Sequence, residues 1–304
     1  MAKSLFDICI NEVFCGGYCH DEKVLKSICQ IESIKERLQE KLPITIQRRY
    51  LDECKSKSAG YTFVQKFKDM IPHGDSIMML EDDLVSHTVF DNGHFVKQTE
   101  FYPSGQISKV EKIKGNIRIV KMYSETGTLL NRSTYTIAGC KLTETIFYTN
   151  GGLKEQSTYK LNRLDGPQIK YAVDGTISQR TEYKNGAIDG RVESYKNNLH
   201  LVSDYKNNLL HGSSRLFDNN KLVYSMSYVN GRLDGPFTRV ENGMVINGIC
   251  RAGQKQKESF YLGDQLQWTQ EYKNGRTEIT FYANPNADIF ADIQMKAKLY
   301  RHVL

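Results

Sequence analysis

A chain of 304 residues with 39% apolar and 11% aromatic side chains has the material for a folded core, which excludes a disordered tail or low-complexity linker. Its 41 basic against 35 acidic residues leave a formal charge of +6, too diffuse for the basic tract of a dedicated nucleic-acid binder. The opening residues, MAKSLFDICINEVF, lack a signal-peptide pattern, and no apolar run approaches the ~18 residues of a membrane span, so a soluble, intracellular chain is expected.

In chain order, the first expected element is a helix from Ser4 to Phe14, with Ser4 as N-cap, Asp7 three residues on, and Leu5, Ile8, Cys9 and Val13 at helical spacing. A second helix over 22–42 places Val24, Leu25, Ile28, Ile31, Leu38 and Leu42 inward and stops at Pro43. A third is expected over 45–57. Five of the seven cysteines fall in the first 54 residues with no CxxC pair. Cys15, Cys19 and His20 in CGGYCH, with Cys9 or Cys29 as a fourth ligand, come nearest to a metal cluster. The double glycine and the lack of a matching second pair favour reduced, buried thiols, so no metal ligand is assigned. Glu81, Asp82 and Asp83 read as a solvated connection, and His87, His94, His200 and His211 as exposed imidazoles at or near turns.

Beyond about residue 88 the chain repeats itself. One aromatic series precedes a turn signal at Tyr102, Tyr123, Tyr148, Tyr171, Tyr195, Phe217, Tyr261 and Tyr282, with Val240 filling one gap. A second runs half a period out of phase through Phe90, Ile113, Tyr135, Tyr159, Tyr183, Tyr205, Tyr228, Arg251 and Tyr272. The period is about 23 residues with two turns in each unit. Asn-Gly, Asp-Gly and Asn-Asn supply the positive φ that tight hairpins require. Between them the residues alternate: Leu222, Tyr224, Met226 and Tyr228 share one parity, as do Leu266, Trp268 and Tyr272. A period of two held over many copies excludes helices here and predicts antiparallel strands. Gly166, Gly190, Gly212 and Gly235 close each second turn and leave room for an adjacent aromatic to lie across them.

The expected fold is mainly β: an elongated antiparallel meander of about eight hairpin repeats, with a small helical N-terminal segment and a C-terminal capping helix. The expected divisions are a helical cap over 1–60, a connection with an irregular first strand over 61–87, the array over 88–282 and a terminal helix over 283–304. In that helix Ile289, Phe290, Ile293, Ala297 and Tyr300 form one stripe.

The stretch GPQIKYAVDGTISQRTEYKNGAIDG, with its partial copy GSSRLFDNNKLVYSMSYVNGRLDG, resembles the MORN repeat, in the variant form also found in bacterial antitoxin-like proteins. The resemblance covers roughly residues 88 to 282 and implies a β-sheet scaffold that binds proteins and, in some relatives, membrane lipid. The order of helices around LKSICQIESIKERL is similar to an F-box, the module that docks adaptors onto cullin ubiquitin ligases, without its opening Leu-Pro and later Trp. MORN-variant arrays behind F-box-like helices resemble proteins numerous in large DNA viruses of amoebae, which implies a virion or host-cytoplasm setting.

No Walker, dinucleotide-binding, Gly-x-Ser-x-Gly or His-Glu-x-x-His pattern occurs. The chain is therefore expected to be non-enzymatic, with no catalytic, cofactor-binding or metal residue and no cofactor. Its expected role is a structural scaffold for protein–protein interaction, capsid-associated in a virion. The alternatives are an F-box-like substrate adaptor and a membrane-surface or antitoxin-like binding module. A membrane role ranks last because basic residues fall on both strand parities, Lys154 and Lys160 against Lys109 and Arg215. Exposed aromatic rows would favour the scaffold.

Overall fold

The computed structural model describes residues 53–273 and 275–282. It divides into two compact units, Met1–Leu153 and Lys154–Leu304. In the first lie β1 (Glu53–Ser58), β2 (Tyr61–Lys68), β3 (Ile71–Leu80), β4 (Asp83–Asp91), β5 (His94–Phe101), β6 (Ile107–Lys114), β7 (Ile117–Tyr123), β8 (Leu129–Thr136) and β9 (Lys141–Phe147). The second carries β10 (Leu153–Lys160), which starts at the boundary, β11 (Arg163–Tyr171), β12 (Ile177–Lys184), β13 (Ala187–Lys196), β14 (Leu199–Lys206) and β15 (Leu209–Asp218). It continues through β16 (Lys221–Val229), β17 (Arg232–Glu241), β18 (Met244–Arg251), β19 (Gln254–Leu262), β20 (Gln265–Lys273) and β21 (Arg276–Phe281). Within each unit every strand pairs antiparallel with its neighbour in sequence, as a meander requires. No helix occurs among the described residues, and none there is long and apolar enough to cross a membrane.

The expected helices over 4–14 and 22–42 and the terminal helix over 283–304 lie outside the described residues. The third does not hold to its end. Residues 53–57 belong to β1, which folds back on β2 from Ser58↔Tyr61 to Glu53↔Lys66 through a turn with Ala59 and Gly60 at φ 50 and 82. The segment 61–87, expected as a connection with an irregular first strand, holds β2, β3 and the start of β4, whose turns use Asp69 and Met70 at φ 51 and 64 and Glu81 at φ 55 in place of the usual Asn-Gly.

The turns take two forms. Asn185-Gly186, Asn230-Gly231 and Asn207-Asn208 have positive φ at both positions and close two-residue hairpins. The turns after Tyr102, Ser124, Tyr148 and Ala172 are longer and place Gly105, Gly127, Gly151 and Gly175 at the left-handed position, each donating back three residues. Strand alternation is interrupted where a bulge adds a residue. Leu222 and Leu266, which strict alternation groups with Tyr224 and Trp268, sit beyond bulges at Val223 and Gln267, and they pair with Phe217 and Tyr261.

The Asp-Gly and His-Gly steps are not turns. Gly166, Gly190, Gly212 and Gly235 lie inside β11, β13, β15 and β17, where three residues face one on the preceding strand. Each glycine stands directly opposite an aromatic or Cys250 of the following strand. The space a Cβ would need is taken instead by Thr158, Glu182, Asp204 or Ser227. The residue before each glycine has its own task. Asp165, Asp189 and Asp234 accept from the backbone N–H of Asn185, Asn207 and Ala252 in the next turn, at 3.0, 3.4 and 3.1 Å. His211 accepts from Asn230 through Nδ1 at 3.4 Å. The carbonyl one residue earlier takes the second turn N–H, from Leu164 to Leu233, at 2.8 Å each. One bulge thus satisfies both exposed donors of the following hairpin, a reason for the recurring Asp/His-Gly. In the first unit His73 and Pro72 do the same for Asn92 and Gly93.

Asp165→Ala should therefore cost about 1 kcal/mol in urea unfolding, whereas Asp165→Asn, which keeps an acceptor oxygen, should cost much less. Equal losses would show that the clamp is not the operative contact.

Candidate binding face on β5–β8

The registers of β5 to β8 are unbroken through their middles, so side chains there divide cleanly between two faces. On one face every described cation has an acidic or aromatic partner. Lys109 bridges Glu100 at 2.9 Å and Glu111 at 3.4 Å, and Arg118 meets Glu111 at 3.1 Å. The hydrogen bond to Glu100 raises the Lys109 pKa above the ordinary lysine value, against the opposing effect of burial. The Arg118 guanidinium also lies 4.7 Å from the Tyr135 ring centroid. Further along, Lys141 holds Glu144 at 2.9 Å, and Asn131 and Ser133 complete the network.

The other face has cations without acids. Lys97 stands directly opposite Lys112, and Lys121 directly opposite Arg132. Lys97, Lys112 and Arg132 are exposed and Lys121 is half-buried. Among the described residues none of the four has an ion pair or hydrogen bond. Val110 and Ile119 sit between the two pairs, opposite Lys121 and Lys112 respectively. Lys97, Val110, Lys112, Ile119, Lys121 and Tyr123 line a shallow groove of about 210 Å³. On the same parity of β8 and β9 follow Thr134 and Thr143, bonded to each other at 2.7 Å, and Thr145 opposite Arg132.

Like charges directly opposed on a sheet oppose folding by roughly 0.2–1 kcal/mol each, so two side by side in mid-strand have no structural rationale. Three other like pairs are of a different kind, among them Lys273↔Arg276, which flanks the β20–β21 hairpin turn. Lys160↔Arg163 flanks a hairpin turn, and Glu271↔Glu278 is bridged by Lys273. In the second unit the mid-strand row of Gln156, Ile169, Arg180, Glu193, Val202 and Arg215 opposes its one charged pair with opposite sign. The cation cluster is a local departure from the repeat.

A second concentration of charge is structural. Glu258, 1% exposed on β19, accepts from the Tyr272 hydroxyl at 2.5 Å and pairs with Lys255 at 3.0 Å and Arg239 at 3.3 Å. Burial first, then this bond, raises the Tyr272 pKa far above the ordinary phenol value. Burial likewise raises the Cys250 thiol. The group adjoins the core of Phe237, Ile246, Cys250, Phe260 and Trp268.

Sequence reasoning assigned no site residue and so missed the four mid-strand cations of the free face. Glu81, Asp82 and Asp83 are exposed at the β3–β4 connection, as expected. His87 and His200 are not simple exposed turn imidazoles. His87 stands mid-strand, bonded to Asp75 at 2.8 Å, and this bond, with Lys66, holds the Asp75 carboxyl below its ordinary value. His200 stacks on Tyr195 with centroids 4.3 Å apart. Among the described residues no three His, Cys, Asp or Glu are grouped to hold a metal, while the CGGYCH residues lie outside them.

Fold and face together define a class: an antiparallel β-meander repeat protein with one uncompensated cationic face. No family model matches the chain, and no curated protein does. Among solved structures it is similar to an S. aureus TarM mutant in complex with Fondaparinux, alpha-GlcNAc-glycerol and UDP, at 10% identity over 54% of this chain, with TM-score 0.17. A second TarM structure matches at 11% identity over 53%, also with TM-score 0.17. The chain spans about a third, 32%, of the length of each. Similarity at that level carries no functional argument.

Proposed function

We propose that the chain is a non-catalytic scaffold that binds protein partners through its repeat sheet, with the free cationic face of β5–β8 as a contact surface. The supporting observation is the pair of like-charged oppositions, Lys97↔Lys112 and Lys121↔Arg132, on a face without acids. A protein that tolerates such repulsion in mid-sheet gains something from an anion outside itself. The resemblance to the MORN variant repeat favours the same reading, and a viral particle is the setting that resemblance implies. The ubiquitin-ligase reading rests mainly on residues outside the described ones.

The aromatic rows offer less contact surface than their number suggests. Phe237, Phe260 and Trp268 are buried, while only Tyr195, Tyr282, Phe63 and Phe281 are exposed among the described rings. Contact through charge is therefore the stronger form of the proposal. Full-length protein carrying Lys112→Glu and Lys121→Glu should lose partners that the native chain captures from its own cells, and capture by the native chain should weaken with added salt. Undiminished, salt-insensitive capture by the variant would refute the assignment of this face.

A further inference from the structure

We propose that the β5–β8 face docks an extended acidic polypeptide segment of the form acid–x–apolar–x–acid, its apolar side chain entering the groove over Val110 and Ile119. The inference rests on reading this face as a binding surface and names its ligand.

The argument is one of spacing. Lys97 and Lys112 are cross-strand partners, so their ammonium groups converge on one anion; Lys121 and Arg132 make a second such pair. The midpoints of the two pairs are separated by two strand spacings across the sheet and two residues along it, which places them about 12 Å apart. An extended peptide advances about 3.2–3.4 Å per residue, so the side chains of residues i and i+4 lie about 13–14 Å apart on one side, with i+2 between them. The point midway between the cation pairs is the square formed by Val110, Lys112, Ile119 and Lys121. Two corners of that square are aliphatic, and the adjoining groove of about 210 Å³, with Tyr123 at its end, exceeds the ~150 Å³ that accommodates benzene. It has room for one leucine-sized side chain and is too small for a drug-sized ligand.

Other polyanions fit less well. Single-stranded nucleic acid uses a series of aromatic platforms, and Tyr123 is the one ring among the residues lining the groove. A planar anionic bilayer would draw on cations spread widely over a surface, whereas these are confined to four strands.

The test is fluorescence anisotropy with the full chain and a labelled peptide containing Glu-Thr-Leu-Thr-Glu. The comparison ligands are the same peptide with Gly for Leu, oligothymidylate, and vesicles of phosphatidylcholine with phosphatidylserine. The expected result is salt-sensitive peptide binding, weakened about tenfold by loss of the leucine and at least about tenfold by Lys112→Glu with Lys121→Glu. Binding that ignores the leucine, or tighter binding of oligothymidylate or vesicles through the same lysines, would overturn the proposal. Failure of the peptide while cellular capture still depends on Lys112 and Lys121 would also overturn it and leave the scaffold reading standing. Capture indifferent to those lysines would remove that reading itself.

Discussion

Gly248→Ala is expected to destabilise the second unit by about 3 kcal/mol. Gly248 lies on β18, opposite Phe237 on one side and Glu258 on the other. A Cβ there would stand 2.3 Å from Phe237 Cζ and 2.7 Å from the Lys257 carbonyl oxygen. Neither can yield easily. Phe237 is 5% exposed and packed in the core cluster, and the carbonyl belongs to the neighbouring strand. At Gly248 the ring of Phe237 takes the very space a Cβ would need, whereas at the bulge glycines that space is taken by Thr158, Glu182, Asp204 or Ser227. Trp268, the chain's single tryptophan, stacks on Phe260 at 4.5 Å in the same cluster, so its fluorescence during urea unfolding reports the loss directly. Adding Phe237→Leu to Gly248→Ala should recover about 1 kcal/mol, because the two sites share one volume. Additive losses would show that the clash is not with the ring.

Glu258→Gln should cost about 2 kcal/mol by the same probe. The carboxylate is almost fully buried and serves three donors, on Tyr272, Arg239 and Lys255. A glutamine has one carbonyl oxygen to offer and aims an N–H₂ where a second acceptor was. Arg239 and Lys255 remain part exposed, at 34% and 43% of their side chains, so water moderates the loss of charge. Tyr272 retains Gln270 as a partner at 2.9 Å. The substitution should nevertheless lower the Tyr272 pKa, since its strongest acceptor and a nearby negative charge both go. A spectrophotometric phenol titration that leaves Tyr272 unmoved would show that Glu258 does not set it.

Much of the fold is legible in the sequence because hairpin chemistry is local. Asn185-Gly186 and Asn230-Gly231 announce their turns, and the residues between them alternate with a period of two. Two features escape that reading. Asp69-Met70 and Glu81-Asp82 turn the chain without glycine, which hides β2 to β4, and Asp-Gly inside a strand has the composition of a turn while forming a bulge. The bulge is visible only once the register shows three residues facing one.

The cationic face escapes for a different reason. Counting basic residues by parity treats Lys109 and Lys112 as equivalent entries on opposite sides. In the structure Lys109 is neutralised by Glu100 and Glu111, while Lys112 faces another lysine. What distinguishes the faces is the identity of cross-strand partners on β5 to β8, and these are fixed by register, not by spacing in the chain.

That register makes the face testable in one variant. Lys112→Glu with Lys121→Glu replaces two repulsive oppositions by two attractive ones, to Lys97 and to Arg132. The measurement is the thermal midpoint of this variant beside its partner capture. The predicted result is a midpoint raised by roughly 2–4 °C, from about 1 kcal/mol of relieved repulsion, with capture lost. A lowered midpoint, or capture retained at the native level, would contradict the account, because the four cations would then serve the fold itself or nothing that binds.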